Sequence, residues 1–429
     1  MSRVAIVGSG VAGLGAAWAL SQRHHVVTYE ADPRLGGHAH TVEVDDRSGP
    51  TPVDTGFIVF NPRNYPNLVQ LFDHLAVPTE PSTMSFAVSL GAGRFEYQAR
   101  ALGLVAQPAN LAKPAYLRMV ADIVRFAKQA ASTNLPPGAT TRDFLDAGGY
   151  SVSFRRDFLL PMLACIWSSS LEAMLDYPAS SMIRFLDNHG LLDVLHRPRW
   201  RTVAGGSREY VRRLSAPFAA DARLSTPVVA VARDHDGVRL VDAHGGVDAF
   251  DDVVFATHAD TTLSILGEAA TEQERRTLSA FTYQRNVAVL HRDPALMPRR
   301  RRVWSSWNYL ADEGRGRDRE RVSLSYWMNS LQNLQTERPV IVTLNPSRDP
   351  RGEATEYVYH HPQYDGRAVD AQATIPSLQG VQHTWFAGSY CGYGFHEDAL
   401  RSGLEVAAAL GAPAPWMPAE HELAGAGAR

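Results

Sequence analysis

Three features of the sequence predict an α/β fold. Val4 to Val7 form a short apolar run, followed by Gly8, Gly10 and Gly13, the helical stretch Leu14 to Ser21 and a second run, Val26 to Glu30. This is the order strand, tight turn, helix, strand. Between Arg285 and Pro362 the pattern turns β-rich, with runs at Asn286 to His291, Val322 to Met328, Val340 to Leu344 and Thr355 to His360. Finally, 429 residues of which 45% are hydrophobic exceed what one ordinary core accommodates. The expected architecture is a Rossmann-like dinucleotide-binding domain plus a second domain with a mixed or antiparallel sheet and helices.

Each glycine of the first turn has a mechanical task. The first permits the tight turn, the second lets the backbone approach a pyrophosphate, and the third allows close helix–strand packing. Phosphates then sit at the helix N-terminus, where unpaired N–H groups and the helix dipole favour negative charge. Glu30, 17 residues after Gly13, is placed to accept hydrogen bonds from ribose hydroxyls, and its charge opposes the 2′-phosphate of NADP. A turn of purely structural origin is the alternative; the strand, helix, second strand and terminal acid around it favour the binding site. Further on, Ala115 to Ala130 sets Leu117, Val120, Ala121, Val124 and Ala127 on one helical face and Arg118, Asp122, Arg125 and Lys128 elsewhere. A loop is expected over Asn134 to Gly138. Val228 to Ala232, Val238 to Val241 and Val253 to Ala256 read as another strand group, with Asp236-Gly237 as a turn. The tail from Ala412, rich in Pro, Ala and Gly, is expected to be a loose end.

Composition excludes several classes. A net charge of -3 lacks the positive excess of a dedicated nucleic-acid binder. Cys165 and Cys391 are too few for a disulfide framework and lack CxxC spacing, which fits a reducing, cytoplasmic compartment and gives no support to structural zinc. The first strand starts at Arg3, leaving no room for a secretory leader, and no apolar run approaches the roughly 18 to 20 residues of a membrane span. Contact with the inner membrane surface remains compatible with all of this.

The run Glu30-Ala-Asp-Pro-Arg34-Leu-Gly36-Gly37 resembles the extension after the second strand in flavoproteins of the amine oxidase and phytoene desaturase superfamily. Val53-Asp54-Thr55-Gly56 resembles their next flavin-side segment and Phe255-Ala256-Thr257 their middle strand. Trp385-Phe-Ala-Gly388-Ser-Tyr and Gly394-Phe-His-Glu397-Asp-Ala-Leu-Arg-Ser-Gly403 resemble the motif that closes the flavin site. The resemblance implies noncovalent FAD, held at the ADP half by Gly8, Gly10, Gly13 and Glu30, at the pyrophosphate side by Arg34 and Gly37, and at the adenine by the Val228 backbone. Gly56, Gly388, Ser389 and Phe395 would lie against the isoalloxazine. It also implies an FAD domain assembled from residues 1–60, 200–265 and 380–412, a substrate domain from 61–199 and 266–379, and a tail at 413–429. His38 departs from the Arg that many relatives carry, and Ser389 from an acidic residue.

Amine oxidases of this superfamily typically place a lysine near the flavin in the C-terminal half, and this chain has no lysine after Lys128. Their two-aromatic cage is matched at one position by Phe395, with Tyr390 or Tyr393 available for the other. Large apolar residues, among them Phe158, Leu159, Met162, Ile166, Trp167, Trp304, Trp307, Tyr309, Tyr326, Trp327 and Met328, read either as core or as the wall of an acyl tunnel. More closely, Asp54-Thr-Gly-Phe-Ile-Val-Phe-Asn61, Phe185-Leu-Asp-Asn-His-Gly190, Trp200-Arg-Thr-Val-Ala-Gly-Gly206 and Tyr326-Trp-Met-Asn329 resemble a bacterial subgroup associated with fatty-acid methylation and cyclopropanation enzymes. That implies desaturation or double-bond isomerisation of an unsaturated or methyl-branched fatty-acyl group, and a lipid-modifying methyltransferase as partner. An amine oxidase and a noncatalytic flavin-binding partner of the methyltransferase are the alternatives.

For proton transfer the candidates are His396 with its neighbour Glu397, then Tyr390 and Tyr393; a helix-start role is the alternative for His396. His189 with Asp187 is a further candidate. The basic runs Arg299 to Arg302 and Arg315 to Arg321 read as solvated loop charge or, together with the helix Lys113 to Lys128, as a surface for anionic lipid.

Overall fold

The computed structural model describes residues 1–47, 49–99, 103–136, 138–192, 198–311 and 323–417. A parallel sheet forms the first layer, in the order Ala222–Arg223, His25–Tyr29, Arg3–Val7, Asp252–Phe255, Thr384–Phe386. Its strands thus come from three stretches far apart in the chain. Val4, Ala5, Ile6, Val253, Val254 and Phe255 are fully buried, as expected of a parallel sheet covered on both faces. The helix Val11–Leu20 is buried along its whole length and packs against the helix His396–Ala409.

Burial on both faces corrects one sequence expectation. The run Val253 to Ala256 leaves the antiparallel group and joins the parallel sheet between Arg3–Val7 and Thr384–Phe386. The third strand of the antiparallel group is Val247–Phe250, paired with Gly237–Asp242, which pairs with Val228–Asp234.

The larger sheet has seven strands, ordered Ala354–Gln363, Thr282–His291, Ile341–Leu344, Ser323–Trp327, Trp307–Ala311, Phe86–Leu90, Phe95–Gln98. All neighbours are antiparallel except Trp307–Ala311 with Phe86–Leu90, so the sheet is mixed. Its register aligns Val342 with Tyr326, Tyr326 with Trp307, and Trp307 with Phe86. Because alternate side chains share a face, these four form one continuous apolar row. Facing the same cavity as this row is the helix Pro114–Gln129.

That helix carries two apolar stripes where the sequence suggested one. Tyr116 and Met119 are buried in the core, Phe126 is buried at the border of core and cavity, and Val120, Ile123, Val124 and Ala127, spaced i, i+3, i+4, i+7, face the cavity. Leu117, on the apolar face read from the periodicity, is 50% exposed.

Two further expectations change. Arg299 to Arg302 is not simply solvated: Arg300 pairs at 2.8 Å with the buried carboxylate of Glu96, and Arg301 lies 3.7 Å from the Trp304 ring centroid. The run Arg315 to Arg321 lies outside the described residues. The tail is docked as far as Trp416, which stacks on Trp18 and donates to Asn67 Oδ1 at 3.1 Å.

Candidate active site

The glycine turn opens onto a cavity of about 1220 Å³, lined by Gly10, Val11, His38, Gly56, Ala256, Thr257, Gly388 and Ser389 at one end. That volume exceeds the roughly 300–1,000 Å³ of an ordinary ligand pocket. Two glycines show what the turn is built around. A Cβ on Gly13 would lie 1.9 Å from the Gly8 carbonyl oxygen, so this glycine is demanded by the protein's own packing. A Cβ on Gly10 would meet nothing within 4 Å. Gly10 has φ -64 and ψ 176, a conformation open to any residue, and no side chain caps the helix that follows. The space beside Gly10 and the unpaired N–H groups of the first turn therefore fit a ligand phosphate. Glu30 accepts from Ser9 N at 2.8 Å and from Ser9 Oγ, which holds its carboxylate beside the turn.

The other sequence-nominated residues fall into place around this end. Gly37 faces Gly10, an added Cβ standing 3.1 Å from Gly10 Cα. Arg34 turns inward, donating to Gly37 O at 2.9 Å and to the carbonyls of Leu35 and Ala39, so it organises the loop after Glu30. Thr226 N donates to Glu30 O at 2.8 Å, which sets the strand beginning at Val228 beside the acid. Gly388, Ser389, Tyr390, Phe395 and His396 all line the cavity.

Two proton-transfer candidates do not. Glu397 points away, accepting from Asn67 N at 2.9 Å, Asn67 Nδ2 at 2.8 Å and Leu68 N at 3.0 Å. It caps the helix Pro66–His74, satisfying first-turn N–H groups that have no intrahelical partner. Tyr393 also lies off the cavity wall, its ring 6.0 Å from that of Phe185. Phe395 stacks on Phe185 at 4.8 Å instead of facing a tyrosine. His189 lines the cavity, but its Nδ1 bonds the Phe185 carbonyl at 2.9 Å, with Asp187 out in solvent.

His396 is held on three sides. It begins the helix His396–Ala409, its ring stacks on Phe57 at 3.8 Å, and its Nε2 lies 2.6 Å from the hydroxyl of buried Tyr210. No other hydrogen bond of the Tyr210 hydroxyl is found among the described residues. If His396 donated, the tyrosine proton would be left unpaired, at about 1–3 kcal/mol. Tyr210 is therefore the donor, and the proton of the neutral imidazole sits on Nδ1. Burial pushes the His396 pKa down to about 3. The residue thus presents a hydrogen-bond donor, Nδ1–H, at neutral pH. Tyr210 carries no motif, and only the fold brings it within reach, 186 residues from its partner.

Four further histidines line the cavity with depressed pKa values. Burial is the largest cause in each: His361 and His189 fall to about 4, His258 is lowered, and His38 is held well below its usual range. The His38 ring lies 5.5 Å from His361 and 4.9 Å from Tyr359, whose hydroxyl meets Thr55 Oγ1 at 2.7 Å and His40 Nδ1 at 3.1 Å. Thr55 and Gly56 are presented by buried Asp54, which accepts from Thr41 Oγ1 at 2.6 Å, Ser207 Oγ at 2.7 Å and Gln332 Nε2 at 2.8 Å. Burial raises Asp54 to about 6 despite these donors.

The far end is apolar. Phe86, Leu104, Phe158, Met162, Trp307 and Tyr326 line it. Of the large residues singled out from sequence, Leu159, Trp167, Trp304, Tyr309 and Met328 are core instead. Among the described residues no Asp, Glu or Lys lines the cavity, and Arg199 is its one permanently charged side chain.

A dinucleotide turn, a discontinuous parallel sheet and a large cavity roofed by a second sheet define a flavoprotein oxidoreductase. The chain belongs to the flavin containing amine oxidoreductase family, whose model matches residues 11–411, and it is an FAD-dependent oxidoreductase. Its fold is similar to cyclohexylamine oxidase from Brevibacterium oxydans IH-35A (17% identity, TM-score 0.70), putrescine oxidase bound to putrescine (17%, 0.68) and a CLA-producing fatty acid isomerase from P. acnes (16%, 0.67). Each alignment covers 95% of this chain and 98% of the other. A search among curated proteins found no match. No helix among the described residues is long and apolar enough to cross a membrane.

Proposed function

We propose that this flavoenzyme acts on carbon–carbon bonds of an unsaturated or methyl-branched fatty-acyl group, by desaturation or double-bond isomerisation. The observation that carries this reading is the composition of the cavity wall: a long apolar far end and, among the described residues, no carboxylate or lysine along it. An ammonium ion entering such a space would lose its hydration with no anionic partner, at a cost of several kcal/mol. An acyl chain instead gains roughly 0.8 kcal/mol for each methylene it buries. The fold's likeness to a fatty acid isomerase is in keeping with this.

Bound FAD supplies a hydride acceptor and, for isomerisation, a hydride donor. The residues at the glycine end, Gly10, Gly56, Gly388 and Ser389, would hold it, leaving the apolar end for the chain. The Val342–Tyr326–Trp307–Phe86 row and the Val120–Ala127 stripe align the chain and exclude water. His396, fixed by Phe57 and Tyr210 on the cavity wall, would offer its Nδ1 hydrogen to the substrate.

Lipid mass spectrometry on cells with and without the protein tests the proposal. A new or displaced double bond that depends on the protein is the expected result. An unchanged acyl profile, alongside an FAD-loaded protein, would overturn it.

A further inference from the structure

The helix Pro114–Gln129 carries apolar side chains both on the cavity wall and at the protein surface. Val124 both lines the cavity and is 47% exposed. Seven residues earlier on the same stripe, Leu117 is 50% exposed; Leu111 and Val105, in the two short turns leading to the helix, are 44% and 46% exposed. Val152, on a short helix packed against it, is 70% exposed. These are five of the twelve most exposed large apolar side chains among the described residues. Scattered exposed leucines and valines need no explanation, but a cluster around a helix that also lines a cavity marks a contact surface.

Charge indicates what the surface meets. Residues 103–136 hold Lys113, Arg118, Arg125 and Lys128 against the single acid Asp122. Asp122 is buried and bonded to Arg125 and Ser151 N, with Arg118 pairing at 3.8 Å from the solvent side, so it offers no negative charge to a partner. Arg118 is 65% exposed, and both lysines of the whole chain lie on this face. A chain of net charge -3 thus turns a cationic, apolar-studded helix toward solvent beside an apolar cavity. Apolar anchors flanked by basic groups match an anionic phospholipid surface, the apolar side chains entering the headgroup region and the cations meeting phosphates.

We propose that this face docks on an anionic bilayer, and that acyl chains pass from the membrane into the cavity beside Val124 without crossing water. The docking stands on the surface itself; the passage of acyl chains rests on the function proposed above.

Co-sedimentation of the FAD-loaded protein with phosphatidylglycerol–phosphatidylcholine vesicles, against pure phosphatidylcholine vesicles, tests the docking without any turnover. Binding to the anionic vesicles that weakens with added salt is expected. At about 1 kcal/mol per basic group, or about fivefold each, the triple variant K113Q/R118Q/K128Q should bind on the order of a hundredfold more weakly. Leu117→Glu with Val152→Glu should also lose binding, yet should turn over detergent-dispersed fatty acid at the wild-type rate while failing on vesicle-embedded substrate. Failure of the wild type to bind anionic vesicles, or wild-type binding by both variants, would overturn the docking. So would a lipid-free dimer, seen by sedimentation velocity, that Leu117→Glu disperses, because the face would then be a contact between copies of the chain. Vesicle binding with no acyl turnover in either presentation would keep the docking and refute the acyl passage.

Discussion

Substitution at Gly10 and at Gly13 should separate the demands of the cofactor from those of the fold. At Gly13 an added Cβ falls 1.9 Å from the Gly8 carbonyl oxygen, a backbone atom in a turn that is itself constrained by φ 98 at Gly8. Gly13→Ala should therefore destabilise the protein by at least about 3 kcal/mol, the upper end of ordinary overpacking. At Gly10 an added Cβ meets no protein atom within 4 Å and the backbone is already extended. Gly10→Val should leave the melting temperature of the cofactor-free protein within the shift expected for about 1 kcal/mol, but it fills the space that fits a phosphate. Overpacking of about 1–3 kcal/mol against the ligand is about 5- to 150-fold in FAD affinity. The assay is FAD titration followed by flavin fluorescence, beside thermal melts of the cofactor-free forms. Wild-type FAD affinity in Gly10→Val would refute the placement of the cofactor, and a wild-type melt in Gly13→Ala would refute the packing demand at that glycine.

Other consequences follow from the site. Tyr210→Phe should keep FAD but remove the donor to His396 Nε2; nitrogen NMR should show Nδ1 protonated in the wild type and a mixed tautomer in the variant, and a wild type protonated at Nε2 would contradict the assignment. His396→Ala should retain FAD and slow flavin reduction by about 10²- to 10⁴-fold if the Nδ1 hydrogen serves the chemical step; an unchanged rate per bound FAD would leave the residue a structural one. Glu397→Ala should cost about 1–2 kcal/mol of stability, as a lost helix cap does, with turnover per FAD-loaded molecule preserved. Five of the six histidines that line the cavity among the described residues have folded pKa values below the unfolded value of about 6.5, with His189 and His361 at about 4 and His396 at about 3. Their neutral forms stabilise the fold above about pH 6.5, and that contribution is lost as pH falls through about 4. The slope is up to about 1.4 kcal/mol per pH unit per histidine. Melts of the cofactor-free protein from pH 7 to 4 should drop steeply, and less steeply in His361→Gln; equal slopes would count against the buried neutral cluster.

Local chemistry made the cofactor end readable from sequence. The glycine turn, Glu30, the Thr55-Gly56 segment and the Gly388–His396 stretch each announce themselves within a few residues, because backbone approach and helix-terminus geometry are set locally. What the sequence hid depends on long-range pairing. Val253 to Ala256 has the same apolar run whether it joins a meander or a parallel sheet, and only burial on both faces decides between them. Glu397 sits in a flavin-closing motif, yet its orientation is set by the helix beginning at Pro66, 331 residues away in the chain. On the helix Pro114–Gln129, periodicity located an apolar face but could not distinguish core, cavity and surface, since all three ask for the same residue types.

The central claim is that the apolar cavity presents an acyl chain, not an amine, to FAD. Anaerobic mixing of the purified, FAD-loaded protein with a panel of unsaturated and methyl-branched fatty acids and a panel of primary and secondary amines tests it, with flavin absorbance and product mass followed together. The expected result is an acyl product, either two hydrogens lighter with the flavin bleached or of equal mass with a displaced double bond, and no bleaching by any amine. Bleaching by an amine with release of the corresponding aldehyde or ketone, and no change in any fatty acid, would contradict it.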